Sequence, residues 1–286
     1  MEIYDSNVAD HLGIAQEINS LPEIDALHEK FIELRTKWKM ETWQDYMPHY
    51  RSEQCYGWDI VPGVFRGAGS KYPAQQGKVL ERDAALDFKR QVENTMGKAA
   101  LRHLFDHKKY GPDWDLLFQA QHAGVKTTLV DWTAHIQRSV YFAVEQHPDP
   151  AIEKADAQLW VFMVPYEMMK NEGAMDDFYE IDPMTTDKGY LINVSVFLDD
   201  LDQRVFESRI ARQGGRFFIS AASECNVALN KQDIAKYFYR FRIPAASKVV
   251  IREQLNTRGV NRESIYVTEN PAHQAVIDDI NKRIYI

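Results

Sequence analysis

Apolar residues recur at three- and four-residue steps through Ile24, Leu27, Phe31, Leu34 and Trp38, painting one stripe on a helix. The first section, to about Tyr50, reads as helical, with Pro22 near its start, where a missing N–H does no harm. The stripe is expected to pack on the main body, a partner helix or a homodimer seam being the alternative. Gly57 to Gly69 surrounds the short run Val61–Phe65 with turn residues, so Val64-Phe65-Arg66 reads as a strand or extended segment. A helix is expected from Asp83 to about Met96, with Ala85, Leu86, Phe88 and Val92 facing inward, and another from Lys98 to about His107. Asp113 then caps a helix through Trp114, Leu117, Phe118 and Gln121, and Gly124 suits its left-handed C-terminal cap.

Beyond it the pattern changes to short apolar and β-branched runs. Thr127–Val130, ending at Asp131, Gln158–Val164 and Arg216–Ser220 read as strands. Tyr237–Ile243 alternates as a fourth, with Tyr237, Tyr239, Phe241 and Ile243 on one side. Ile136, Val140, Ala143 and Val144 mark a helix between the first two. Helices over Ala246–Arg258, capped by Gly259, and Pro271–Lys282, with Asn270 as N-cap, complete the chain. The expected class is α+β, with a mixed, mostly antiparallel sheet flanked by helices. Residues 1–55 are expected to form a helical extension and residues 56–286 the α+β domain, since no Pro/Gly/Ser-rich linker intervenes.

Composition narrows the class without naming a reaction. The 286 residues are 45% hydrophobic and 27% charged, which excludes wholesale disorder. The longest apolar runs, such as Leu159–Pro165, are too short to cross a bilayer, so no membrane association is expected. Met1-Glu2-Ile3-Tyr4-Asp5 has neither a basic start nor an apolar stretch, and no secretory signal is read there. Cys55 and Cys225 have no metal-like spacing and make no disulfide framework, so a cytoplasmic location is expected. The net charge of −8 weighs against general nucleic-acid binding. Lys89, Arg90, Arg102, Lys108 and Lys109 keep a basic surface as an alternative, although acids alternate with them.

Several motifs fail on inspection. Gly67-Ala68-Gly69 lacks the third glycine of a dinucleotide loop, and Ser70-Lys71-Tyr72-Pro73 does not open a helix; no Walker loop exists. His103 and His107 have metal-ligand spacing, but Leu104 stands where a zinc protease needs glutamate, and basic neighbours suggest a solvated face.

The densest constellation is Gln121-His122-Ala123-Gly124-Val125-Lys126-Thr127-Thr128-Leu129-Val130-Asp131-Trp132-Thr133. It lays out a helix, a glycine cap, a strand, and then a carboxylate and a hydroxyl at the strand exit, where side chains can face a ligand. Asp131 and Thr133 would equally serve as N-caps of the next helix, and Trp132 as core or as a wall for a planar ring. Arg66, in a glycine-flanked apolar segment, must meet water, a carboxylate (Asp131 or Glu81) or an anionic ligand. In the last case Gly67 would let the backbone come close to a phosphate. Gln213, before Gly214-Gly215, suits ribose hydroxyls or the turn backbone.

Taken together, Phe65-Arg66-Gly67, Gln121-His122-x-Gly124, Leu129-Val130-Asp131-Trp132-Thr133, Tyr141-Phe142-Ala143-Val144, Gln213-Gly214 with Phe217, Ile243-Pro244 and Lys248 resemble the FRG-domain family. The resemblance runs from about Trp58 to the C-terminus. Lys126 and Thr128 depart from it, standing where the family usually has proline and arginine. The layout is also similar, more weakly, to ADP-ribosyltransferases. That similarity implies an ADP-ribosyltransferase or NAD glycohydrolase with NAD as substrate and no resident cofactor. Arg66 and Gly67 would then hold phosphate or ribose, and Thr133, Trp132, Gln121, His122 and Thr128 would line the substrate. Gln213 would sit where such enzymes often keep a catalytic glutamate. Asp131 or Glu207 would supply the carboxylate that the developing oxocarbenium charge needs. The partners implied are a nucleotide or NAD-like small molecule and, for a transferase, a protein target. A non-catalytic nucleotide- or protein-binding module is the alternative.

Overall fold

The computed structural model describes residues 15–96, 114–171, 181–193, 212–266 and 271–284. Among them the helices are α1 (Leu21–Thr42), α2 (Ala74–Met96), α3 (Trp114–Ala123), α4 (Ile136–Val144), α5 (Pro150–Glu153), α6 (Ala245–Thr257), α7 (Arg262–Ile265) and α8 (Pro271–Ile284). The strands are β1 (Tyr46–Glu53), β2 (Val130–Thr133), β3 (Ala157–Pro165), β4 (Met169–Asn171), β5 (Tyr190–Asn193), β6 (Gly215–Ile219) and β7 (Phe238–Ile243). The class is α+β, as the sequence pattern predicts. The chain divides into two discontinuous compact units. The first comprises the described residues of Met1–Asp59, Trp132–Met169 and Asn230–Ile265; the second those of Ile60–Asp131, Lys170–Leu229 and Tyr266–Ile286.

In the first unit β3 is the spine, and all nine of its residues are buried. It pairs antiparallel with β1 from Tyr46↔Pro165 to Glu53↔Gln158, and with β7 from Ala157↔Ile243 to Phe162↔Phe238. Thr133, at the end of β2, pairs with Tyr50. One face of this ladder meets α1, where Phe31 sets its ring edge against Tyr239 and Phe241 with centroids 5.1 and 6.0 Å away. The same face meets α4 through Ser52 and Ser139, whose hydroxyls are 3.0 Å apart. The apolar stripe of α1 (Leu21, Ile24, Leu27, Phe31 and Leu34) is therefore buried inside its own unit. An aromatic cluster of Trp132, Trp160, Phe162 and Phe238 forms around β3 and β7.

In the second unit β5 and β6 form an antiparallel pair, from Tyr190↔Ile219 to Asn193↔Arg216. Val64, Phe65, Phe88, Phe118, Leu129, Ile192, Phe217, Ile277 and Ile280 share one buried core. Phe118 stacks on Phe217 at 4.5 Å. Asn281 of α8 latches the loop after α3: its amide accepts from Lys126 N (3.1 Å) and donates to Gly124 O (2.8 Å). Gly124 takes the left-handed conformation expected of it, at φ +99°.

Several elements differ from the sequence expectation. The section to Tyr50 is not helical throughout, because Trp43 adopts φ 61° and ends α1, and Tyr46–Glu53 becomes a strand. The second helix starts at Ala74 rather than Asp83, immediately after Pro73. Leu86, expected inward, is 55% exposed, whereas Ala85, Phe88 and Val92 are buried. Val64-Phe65-Arg66 is no strand: two 3-10 turns, Gly63–Phe65 and Gly67–Lys71, flank Arg66 at φ −87°, ψ 148°. The expected strand at Thr127–Val130 begins only at Val130, because side chains take the backbone groups a ladder would use. Thr128 N donates to Glu81, and Leu129 N to the Thr127 hydroxyl. The expected helix over Lys98–His107, with His103, His107 and the basic residues 102, 108 and 109, lies outside the described residues, as do Asp113, Glu207 and Asn270. Among the described residues no helix is long and apolar enough to cross a membrane.

Candidate functional site

The second unit holds most of the residues singled out in the sequence. Its centre is the chain segment entering β2. Val64 N donates to Thr127 O at 3.1 Å, which fixes the Phe65-Arg66-Gly67 turn to this entry. The fit is close. A Cβ on Gly63 would come within 3.4 Å of the Lys126 Cα, and one on Gly69 would lie 1.9 Å from Val64 O. Arg66 is exposed, and its Nε donates to Val61 O at 2.7 Å, which orients the guanidinium. Gly67 takes φ +58° with nothing within 4 Å of its Cβ position, leaving that side of the turn open.

From the Thr127 side chain a polar chain runs to Asp131. The Thr127 hydroxyl donates to Gln121 Oε1 at 2.6 Å, and Gln121 Nε2 donates to Asp131 Oδ2 at 2.9 Å. The order follows from chemistry, since a carboxylate only accepts and the Gln121 amide must therefore present its NH2 to Asp131. This ties Asp131 to α3, and it is not the N-cap that was the alternative expectation. The N-cap of α4 is His135. Thr133 is not the N-cap either; its hydroxyl accepts from His135 N at 3.1 Å, in the turn before the helix. Asp131 is half-buried, one residue before the chain passes into the first unit.

Other expected site residues have internal neighbours. His122 is buried, and its ring meets Phe217 edge-on at 5.0 Å. Trp132 is 2% exposed within the aromatic cluster of the first unit, so the core reading describes it. Thr128 is buried against Lys78 and Glu81. Glu81 is thus no partner for Arg66. Gln213 is half-buried in the last helical turn before Gly214, which takes φ +58°. Arg216, just beyond, folds back to donate to Gly215 O at 2.9 Å, and burial pulls its pKa down.

The sequence reading missed Lys78 and the organising role of Thr127. Lys78 and Glu81 lie three apart on α2, which places two opposite charges on one helix face. That spacing was available as a signal, but it also describes any solvated pair. Near them the Cys225 thiol, pushed up to about 11 by burial, stays protonated at neutral pH.

The FRG domain family model matches residues 46–151. The match takes in Phe65-Arg66-Gly67, Gln121-His122, the Asp131 segment and the Tyr141–Val144 helix. Gln213, Ile243-Pro244 and Lys248, which also carry the resemblance, lie beyond it. No curated protein and no solved structure shows significant similarity to the chain. The Phe-Arg-Gly turn is bonded to the strand entry that carries Asp131, and the stretch that holds both, residues 46–151, matches the FRG domain family.

Proposed function

We propose that the second unit binds a nucleotide and acts on NAD, as an ADP-ribosyltransferase-like or NAD-cleaving enzyme in which Asp131 is the working carboxylate. The observation that carries this reading is the Thr127–Gln121–Asp131 hydrogen-bond chain, which holds one carboxylate oxygen in a fixed direction. A carboxylate oriented before the substrate arrives needs no reorganisation when positive charge develops.

In the reaction, the bond between ribose C1′ and the nicotinamide nitrogen breaks, and both electrons leave with nicotinamide. The ribose becomes oxocarbenium-like, and Asp131 stabilises that charge. Water, or a nucleophilic side chain of a protein target, then bonds to C1′ and releases a proton. Arg66 supplies a guanidinium for the diphosphate, with the open side of Gly67 admitting it closely. Gln213 serves a ribose hydroxyl, as donor and acceptor.

The test is incubation of the whole protein with NAD while nicotinamide is followed by chromatography, alone and with protein targets and nucleic acid added. Nicotinamide above the blank supports the reading. None under all conditions contradicts it, and NAD that raises the melting temperature while staying intact would identify a non-catalytic binding module instead.

A further inference from the structure

A complete ion pair is buried in the second unit, away from solvent. Lys78 is 0% and Glu81 1% exposed, and Thr128, which bonds both side chains, is 1% exposed. Lys78 Nζ donates to the Thr128 hydroxyl at 2.6 Å and lies 3.6 Å from Glu81 Oε2. The hydroxyl in turn donates to the Glu81 carboxylate, whose oxygens are 2.9 and 3.0 Å away. Thr128 N also donates to Glu81 Oε1 at 2.7 Å.

Burying two charges costs more than packing hydrocarbon in their place, and such pairs are commonly replaceable by apolar residues without loss of stability. What the pair here supplies is direction. It grips both the backbone and the side chain of Thr128, between Thr127, which starts the chain to Asp131, and the strand that carries Asp131. We propose that Lys78 and Glu81 are positioning residues that set the β2 entry, and through Thr127 and Gln121 the Asp131 carboxylate. This rests on reading Asp131 as the functional carboxylate.

The test uses the whole protein and four forms: wild type, K78M/E81M, T128V and T128S. Amide hydrogen exchange without ligand reads the positioning directly. In K78M/E81M and T128V, exchange at Thr128 and Leu129 should rise about tenfold or more while Leu191 and Phe217 keep their protection. T128S, which keeps the hydroxyl, should stay close to wild type. NAD-induced thermal shifts should be lost in T128V and retained in T128S. Unchanged protection at Thr128 and Leu129 in both K78M/E81M and T128V would overturn the proposal, as would equal NAD shifts in T128V and wild type. A wild type that shows no NAD shift would count against the nucleotide reading, while the exchange data would still decide the positioning.

Discussion

At the scale of single residues, the turn that carries Arg66 is governed by two glycines with different reasons. A methyl on Gly69 would meet Val64 O at 1.9 Å, a backbone atom that cannot step aside. G69A should therefore lower stability by about 1–3 kcal/mol, read as a lower urea midpoint at unchanged slope. Gly67 has free space but φ +58°, so G67A should cost only about 1 kcal/mol, from the left-handed backbone. Equal effects would mean that the turn relaxes and that Arg66 is not held as described. The cysteines offer a second contrast. Cys225 is buried, whereas Cys55 is partly exposed and its thiol is raised by burial to a lesser degree. A thiol reagent should label one cysteine in the native protein and the second only on unfolding; rapid labelling of Cys225 would contradict its packing.

At the scale of elements, α1 is the plainest consequence of its pattern. Truncating Phe31, which is fully buried against Tyr239 and Phe241, should destabilise the protein by about 3–5 kcal/mol in chemical unfolding. A change below about 1 kcal/mol would mean that the stripe is not core. Elements of this kind were legible, because a helix with one buried stripe writes its own period. α1, α3 with Gly124, and α4 over Ile136–Val144 follow the spacing of their apolar residues. β3 was legible for a related reason, as a continuous apolar run buried on both faces. Failures came where local bonding overrode composition. Pro48 argues against a ladder strand, yet β1 carries it in register with Met163. Thr127 and Thr128 look like strand residues, but their hydroxyls and the Thr128 amide are spent on Gln121, Glu81 and Lys78. Gly77 looks like a loop signal, yet the Phe65 ring fills the space that its side chain would need. For the site, the sequence marked Arg66, Gln121 and Asp131. It could not show that Gln121 and Asp131 bond, since that contact depends on the path of the chain through the turn between them.

For the molecule as a whole, the carboxylates with lowered pKa among the described residues lie in the first unit. The Arg35 guanidinium, 2.9 and 3.2 Å from Asp45, and the Lys39 ammonium hold the Asp45 carboxyl well below its usual range. The Ala245 N–H and Arg242 also lower the pKa of Asp156. A depressed carboxylate stabilises the fold above its unfolded pKa of about 3.9 and loses that contribution as pH falls through its folded value. The melting temperature should thus be insensitive to these groups from about pH 5 to 7 and decline below about pH 4, less steeply in D45N. An identical decline in D45N would remove Asp45 from this account. The central claim concerns Asp131, held by Gln121 at 2.9 Å, and the measurement closest to it compares nicotinamide release at saturating NAD by wild type and D131N. The account predicts that D131N folds, binds NAD and releases nicotinamide about 100-fold or more slowly, as expected when transition-state charge loses its counter-charge. D131N turning over at the wild-type rate would contradict it.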